Sequence, residues 1–306
     1  MEISEVSLPQ FFYVPIVIRS IGGYGREFVV GNASGEYYLF RDYSLVKNIS
    51  STELKVVVGR DYVYIYGSRY VEIYDHDLNY VMGADVGYVY SIGVNDDIYI
   101  LHSDGSIDVY SADALRKIQT VRGRIKPLGI GVVDQGVIVA SDMEKNVNRN
   151  GVKMHVNNIT LYDFDMNVKK SVEYVTMCNN NRVVSIPYSF ASISDSIIMS
   201  CLVEDDVLIT IFTSDLEVRG VRRIHVYYKE ATKHNSRVYM WDLNDANNKR
   251  RTMLGNAYIN NEYVMLGVDA VLTLVPVPWV LSGESVNYKT VLPQIAIAVY
   301  LTPLPP

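Results

Sequence analysis

Apolar and polar residues alternate along this chain in short runs of roughly four to eight, the period of strands that bury one face. Leu54 to Val58, Tyr62 to Tyr66, Tyr70 to Tyr74 and Asn79 to Met82 form one such series, broken by turns at Gly59-Arg60-Asp61 and Gly67-Ser68-Arg69. The order repeats as Val89 to Val94, Ile98 to Leu101, Ile107 to Tyr110 and Lys117 to Val121, with Ser103-Asp104-Gly105 as a turn. Ahead of both, Phe11 to Ile18 and Glu27 to Val30 read as two strands joined by a turn at Gly22-Gly23-Tyr24-Gly25. The Phe40 strand and Ser44 to Ile49 complete that unit. Helical periodicity is nearly absent.

One motif punctuates the alternation: an aliphatic residue, an aromatic, about two polar residues, Asp or Asn, and often an apolar residue such as Leu78 after Asp77. It appears as Leu39-Phe40-Arg41-Asp42, Ile73-Tyr74-Asp75-His76-Asp77, Val109-Tyr110-Ser111-Ala112-Asp113, Leu161-Tyr162-Asp163-Phe164-Asp165, Ile211-Phe212-Thr213-Ser214-Asp215 and Met240-Trp241-Asp242-Leu243-Asn244. A seventh version, Val299-Tyr300-Leu301-Thr302, lacks the carboxylate. The anchors lie 34, 36, 52, 50, 29 and 59 residues apart, an average close to the length of a four-stranded propeller blade. A fourth unit, Leu128 to Tyr162, is interrupted by a polar insertion from Asp142 to Asn157, read as an exposed loop. A fifth spans Val183 to Phe212, with an acidic turn at Glu204-Asp205-Asp206. An irregular sixth takes Tyr227 to Lys229, Val238 to Trp241 and Arg251 to Leu254. A seventh would use Ala257 to Ile259, Tyr263 to Gly267, Val271 to Val280 and Ile295 to Tyr300.

A four-stranded unit with two apolar faces cannot bury both alone, and radial packing against its neighbours does so. The expectation is one all-β domain over residues 1–306, a β-propeller of seven blades, with six as the alternative. An N-terminal strand, Glu2 to Leu8 or Phe12 to Ile18, should pair with the last blade and close the ring. The aromatic-then-Asp motif resembles the third strand of blades in WD-repeat propellers, and Trp241-Asp242 reproduces their dipeptide. That is the only Trp-Asp pair, so the likeness is to the superfold.

Composition adds bounds. Tyr is abundant at 25 copies, which suits half-buried pleated surface. The net charge of -6 argues against a surface built wholly for nucleic acid. Cys178 and Cys201 are too few for a disulfide scaffold and read as buried thiols. The acidic start, Met1-Glu2-Ile3-Ser4-Glu5, is unlike a signal peptide, and the apolar run Val271 to Leu281 is too short to span a bilayer. A cytoplasmic or virion location follows as an expectation.

Candidate chemistry is sparse. Asp42, Asp77, Asp113, Asp165 and Asp215 are read as caps of their own turns, spread toward the rim and unable to form a carboxylate ring. Ser103-Asp104-Gly105-Ser106 resembles the Asp-box of sialidase-like propellers, but without its downstream Trp it reads as a turn. His76, His102, His155, His225 and His234 show no metal-ligand spacing, so no metal or cofactor is expected. The strongest departure from background lies between residues 219 and 251. Arg219, Arg222, Arg223, Lys229, Lys233, Arg237, Lys249, Arg250 and Arg251 there face only Glu230, Asp242 and Asp245, leaving six positive charges in surplus and -12 on the remainder. Such a patch could meet an acidic protein partner or, less favoured, nucleic acid, with Tyr227, Tyr228 and Tyr239 available for stacking.

The leading functional expectation is a non-enzymatic structural or protein-interaction module that presents loops 142–157, 229–236 and 244–251 to protein partners. Its Tyr, Val, Ile and Asn content resembles that of proteins from hyperthermophilic archaea and their viruses, which suggests a virion component. One alternative is an enzyme acting on carbohydrate at the channel mouth through Asp96, Asp97 or Glu204 to Asp206. The other is nucleic-acid binding through the basic stretch.

Overall fold

The computed structural model describes residues 10–123, 125–149, 152–177, 189–203, 206–228, 256–268, 271–282, 286–289 and 295–302. After β1 (Gln10–Tyr13), strands follow one another as antiparallel hairpins. The first sheet is β2 (Ser20–Tyr24), β3 (Glu27–Gly31), β4 (Glu36–Arg41) and β5 (Ser44–Ser50). The second is β6 (Lys55–Val58), β7 (Val63–Tyr66), β8 (Tyr70–Tyr74) and β9 (Tyr80–Asp85). The third is β10 (Val89–Val94), β11 (Asp97–His102), β12 (Ile107–Ser111) and β13 (Lys117–Val121). The fourth is β14 (Lys126–Val133), β15 (Gly136–Arg149), β16 (Val152–Tyr162) and β17 (Val168–Met177), and the fifth begins β18 (Ser189–Ile193), β19 (Ser196–Val203), β20 (Asp206–Thr213) and β21 (Val218–Tyr228). The sixth comprises β22 (Asn256–Ile259), β23 (Tyr263–Val268) and β24 (Val271–Pro276), with β1 on its outer edge.

The first strands β2, β6, β10, β14, β18 and β22 touch in succession, and β22 touches β2 again. Each sheet therefore runs outward from a common axis. Six buried clusters, one between every neighbouring pair of sheets, hold the circle. The cluster between sheets six and one contains Ile18, Phe28, Met265 and Leu274, and β1 lies against β24 from Gln10↔Leu274 to Tyr13↔Val271.

The architecture is a β-propeller of six blades among the described residues, which corrects the count of seven. The difference lies at the C-terminus. The segment expected as the last strand of a seventh blade, β26 (Ile295–Thr302), pairs instead with β21 and carries β25 (Val286–Lys289), so the fifth sheet has six strands. The outer edge of β24 already belongs to β1, so that sheet has no place for it. The proposed sixth unit, including Trp241-Asp242, falls largely outside the described residues.

Three further corrections have local causes. The run Val271 to Val280 bends at Pro276 from strand into the short helix α1 (Val277–Leu281), whose early prolines suit a helix start. The supposed loop from Asp142 to Asn157 is two strands, laddered on to Arg149↔Val152. Val147, Val152, Met154 and Val156 keep the two-residue period there, which the Asn and Lys content obscures. Gly22-Gly23-Tyr24 is inner strand, and the turn begins at Gly25.

Those glycines answer to crowding at the axis. A Cβ on Gly22 would lie 3.0 Å from the Val57 Cα, and one on Gly131 would lie 2.9 Å from the Phe190 Cβ. Gly131→Ala is accordingly expected to lower unfolding free energy by about 1–3 kcal/mol through overpacking. Urea titration of the two proteins measures it, and an unchanged midpoint would remove the crowding argument.

Candidate functional site

The turns joining first to second and third to fourth strands share one side of the propeller, here the near face. Those from third to fourth strand repeat a single construction. Each aromatic anchor (Phe40, Tyr74, Tyr110, Tyr162, Phe212) follows a register shift in its ladder. In sheets two to five the next residue braces the turn. Asp75 Oδ1 accepts the backbone N–H groups of Asp77 and Asn79, Asp163 Oδ1 accepts that of Asn167, and Thr213 Oγ1 accepts those of Asp215 and Glu217. The bracing residue therefore stands two places before the one expected, and Asp77, Asp113, Asp165 and Asp215 are exposed at the turn tips.

After each tip comes the side chain at or next to the motif's trailing, often apolar position. Tyr43, Leu78, Leu115, Met166 and Leu216 all have positive φ, between 45° and 68°, a conformation costly to residues with a Cβ. It turns them inward onto the preceding sheet. Leu78 packs with Val29, Tyr37 and Leu39, Met166 with Tyr99 and Val109, and Leu216 with Ile138 and Tyr174. Tyr43 stacks on Phe12, with ring centroids 5.3 Å apart, and its hydroxyl meets that of Tyr263 at 2.7 Å. In the sixth sheet α1 does this work, with Val277, Trp279 and Val280 against Ile209 and Ile224.

These buried plugs fix the turns, and the turns present charge. The inner near-face turns carry Asp61, Asp96, Asp134, Asp195 and Glu262, and the outer ones Asp42, Asp75, Asp77, Asp113, Asp163, Asp165, Asp215 and Glu217. Only Arg26, Arg60 and Arg116 oppose them within those turns. Asp75 and Asp163 are held below the usual carboxylate range, first by the N–H of the Asn four residues on. Asp195 is held down by the Arg219 guanidinium. These groups stay ionised at neutral pH.

The basic stretch gathers no such surface where it is described. Arg219 is committed to Asp195 at 2.9 Å. Arg222 is buried, donating from Nη1 to the Val221 carbonyl at 3.3 Å, while Arg223 is exposed. Lys229, Lys233, Arg237, Lys249, Arg250 and Arg251 lie outside the described residues, as do the loops 229–236 and 244–251. Of the alternative carboxylates for carbohydrate chemistry, Glu204 and Asp205 lie outside the described residues. Asp96 and Asp97 belong to the turn from β10 to β11 on the near face, whereas Asp206 opens β20 at the opposite end of its sheet. Burial, then the Asp96 and Asp113 charges, raise the Asp97 carboxyl. The carboxylate beside Asp96 at the channel mouth is Asp134, which the sequence reading did not name.

Asp104 Oδ1 accepts the backbone N–H and hydroxyl of Ser106 with Gly105 at positive φ, which makes that segment a turn. His76 bridges Glu27 and the Arg60 carbonyl, and His102 bridges the Tyr88 carbonyl and Asp108. Among the described residues no group of three or more His, Cys, Asp or Glu is placed to hold a metal. Cys201 is buried between sheets four and five, and Cys178 lies outside the described residues. No helix among the described residues is long and apolar enough to cross a membrane.

Along the axis the six first strands enclose a cavity of about 580 Å³. Arg60, Asp96, Asp134 and Asn261 stand at its near mouth, Lys55, Tyr66, Ser91, Ser189 and Tyr258 deeper in. Sequence reading passed over Lys55. The available signal was a lone charge at the head of an otherwise apolar first strand, Lys55-Val56-Val57-Val58.

Six radial sheets, five of them with aromatic-anchored third strands, define a β-propeller among the described residues. Solved structures similar to the chain include the WD40 domain of Pan2 from Neurospora crassa, with a TM-score of 0.54 at 9% identity over 85% of this chain and 90% of that one. The WD40 repeats of RRP9 match with a TM-score of 0.54 at 8% identity, over 89% and 99%. At such identity the likeness establishes the fold. No protein-family model matches the chain, and no curated protein does. The viral and hyperthermophilic reading finds no support in these likenesses.

Proposed function

We propose that this chain is a protein-interaction module whose near face docks a basic protein surface. The observation that carries the reading is the surplus of carboxylates on the near-face turns, three of which are braced by Asp75, Asp163 and Thr213 and plugged into the core by Leu78, Met166 and Leu216. Prearranged charge of one sign steers an oppositely charged partner and loses little entropy on binding. The WD40-like architecture supports the same use. The same carboxylates repel a phosphate backbone, so nucleic acid is disfavoured at this face. A virion setting has the composition behind it and nothing in the fold.

A carbodiimide that joins carboxylates directly to amines tests the reading in extracts of the native source. Cross-links to partner lysines should map to Asp113, Asp165 and Asp215, and the Asp113→Lys, Asp165→Lys, Asp215→Lys triple variant should lose at least tenfold in capture of the same partner. Capture that survives the triple variant, or that is indifferent to 0.5 M salt, would remove the near face as the docking surface.

A further inference from the structure

The central channel holds a positive charge that the fold leaves without a counter-charge among the described residues. Several little-exposed carboxylates elsewhere in the fold are matched by cations: Asp108 meets His102 and Lys117, Asp142 meets Lys126, and Glu27 meets Arg41 and His76. Lys55 opens β6, and its stem runs into the channel wall. Its ammonium donates one hydrogen bond, to the Tyr90 carbonyl at 2.9 Å, and sits 5.6 Å from the Tyr66 ring centroid and 5.9 Å from that of Tyr90. No carboxylate among the described residues forms an ion pair with it. Two of its three donors remain for another acceptor.

The surroundings restrict what that acceptor can be. Burial lowers the Lys55 pKa, so the site penalises the cation unless an anion joins it. Tyr66 is fully enclosed, its phenol pushed up to about 12 by burial, and its oxygen is engaged by Ser91 and by the Ile92 backbone. Tyr258, close enough to Tyr66 to feel it, is raised beyond the ordinary phenol range by burial first. Both rings thus keep their protons, and that of Tyr66 lies beside the ammonium. The wall also carries polar groups, among them Arg19, Arg60, Asp96 and Asp134, but Ile21, Ile92, Gly93, Ile130, Gly131 and Phe190 give it an apolar stretch. A single ammonium balances a single negative charge, and an apolar wall favours a ligand with an apolar body.

We propose that the central channel binds a small organic carboxylate, its charged group seated on Lys55 beside Tyr66 and its apolar body along the stretch of wall lined by Gly93, Gly131, Ile92 and Ile130. This site is separate from near-face docking and stands or falls without it.

Benzoate serves as the probe, with benzyl alcohol as its uncharged counterpart and inorganic phosphate as the other anion. Lysine acylation of the whole protein at pH 8, followed by mass spectrometry, reads Lys55 directly, and half-buried Lys47, outside the channel lining, is the internal control. Benzoate at millimolar concentration should slow acylation of Lys55 at least fivefold and leave Lys47 unchanged, and benzyl alcohol should do neither. By calorimetry, Lys55→Met should weaken benzoate binding at least tenfold, and wild-type affinity should fall as pH rises and Lys55 loses its proton. The labelling arm needs no variant, so it decides even if Lys55→Met does not fold. No protection by benzoate, equal protection by benzyl alcohol, or undiminished benzoate binding by Lys55→Met would overturn the site, and protection by phosphate alone would overturn the carboxylate assignment.

Discussion

Asp108→Ala is expected to lower stability at pH 7 by about 3 kcal/mol, the scale for stripping one partner from a buried charge network. Asp108 lies on β12 with little exposure. Its Oδ2 accepts from His102 on β11 at 2.8 Å and from Lys117 on β13 at 2.6 Å, and its Oδ1 accepts from Thr120 at 2.6 Å. His102 in turn reaches the Tyr88 carbonyl at 2.7 Å. One carboxylate therefore ties three strands of the third sheet together and, through His102, secures the segment that crosses into it. Removal leaves a buried imidazole without its acceptor. Burial alone would raise the Asp108 carboxyl, but the bonds from Lys117, Thr120 and His102 outweigh it and hold the group below the ordinary range.

The pH dependence follows from that direction. A depressed folded-state pKa gives stability that is fully present above the unfolded value, about 3.9 for Asp, and is lost as pH falls through the folded one. The wild-type advantage over Asp108→Ala should thus be level from pH 5 to 7 and shrink below about pH 4. Denaturant midpoints at pH 3, 5 and 7 measure it. A difference under about 1 kcal/mol at pH 7 would mean the network is solvated after all.

Leu78→Ala should cost about 2–4 kcal/mol, the range for emptying a buried leucine site. Leu78 is 2% exposed with φ of 53°, so it contributes burial while carrying backbone strain. Leu78→Gly separates the two. Glycine tolerates that φ, so it should recover about 1 kcal/mol relative to alanine although it removes more side chain. Loss equal to or greater than that of alanine would show that the turn is unstrained. Leu216, in the same position on the fifth sheet, should reproduce the pattern.

The plug positions show how far the sequence could be read. The aromatic anchors and their carboxylates repeat visibly, and they mark the ends of third strands in sheets one to five. Which residue braces the turn, and that the following Leu or Met turns back into the core, depends on a register shift that the linear pattern does not record. The near-face acidity was present in the sequence as separate Asp residues. It becomes one surface only once two sets of turns are known to share a side. Of the basic stretch, the three described residues differ: Arg219 is in an ion pair, Arg222 is buried and Arg223 is exposed, because neighbours in sequence point to opposite sides of a strand.

Alternation of side chains is a local record of burial, so the sequence alone determined that the chain is all-β, built of short antiparallel strands with aromatic-anchored turns, and radial in its packing. Blade number was decided by edges. Once β1 occupies β24, the strand at Ile295–Thr302 must pair elsewhere, and it finds β21. The channel was decided the same way: Lys55 is an ordinary strand residue until six first strands converge and enclose it. Both outcomes depend on contacts between segments far apart in the chain, which a period of two residues cannot encode.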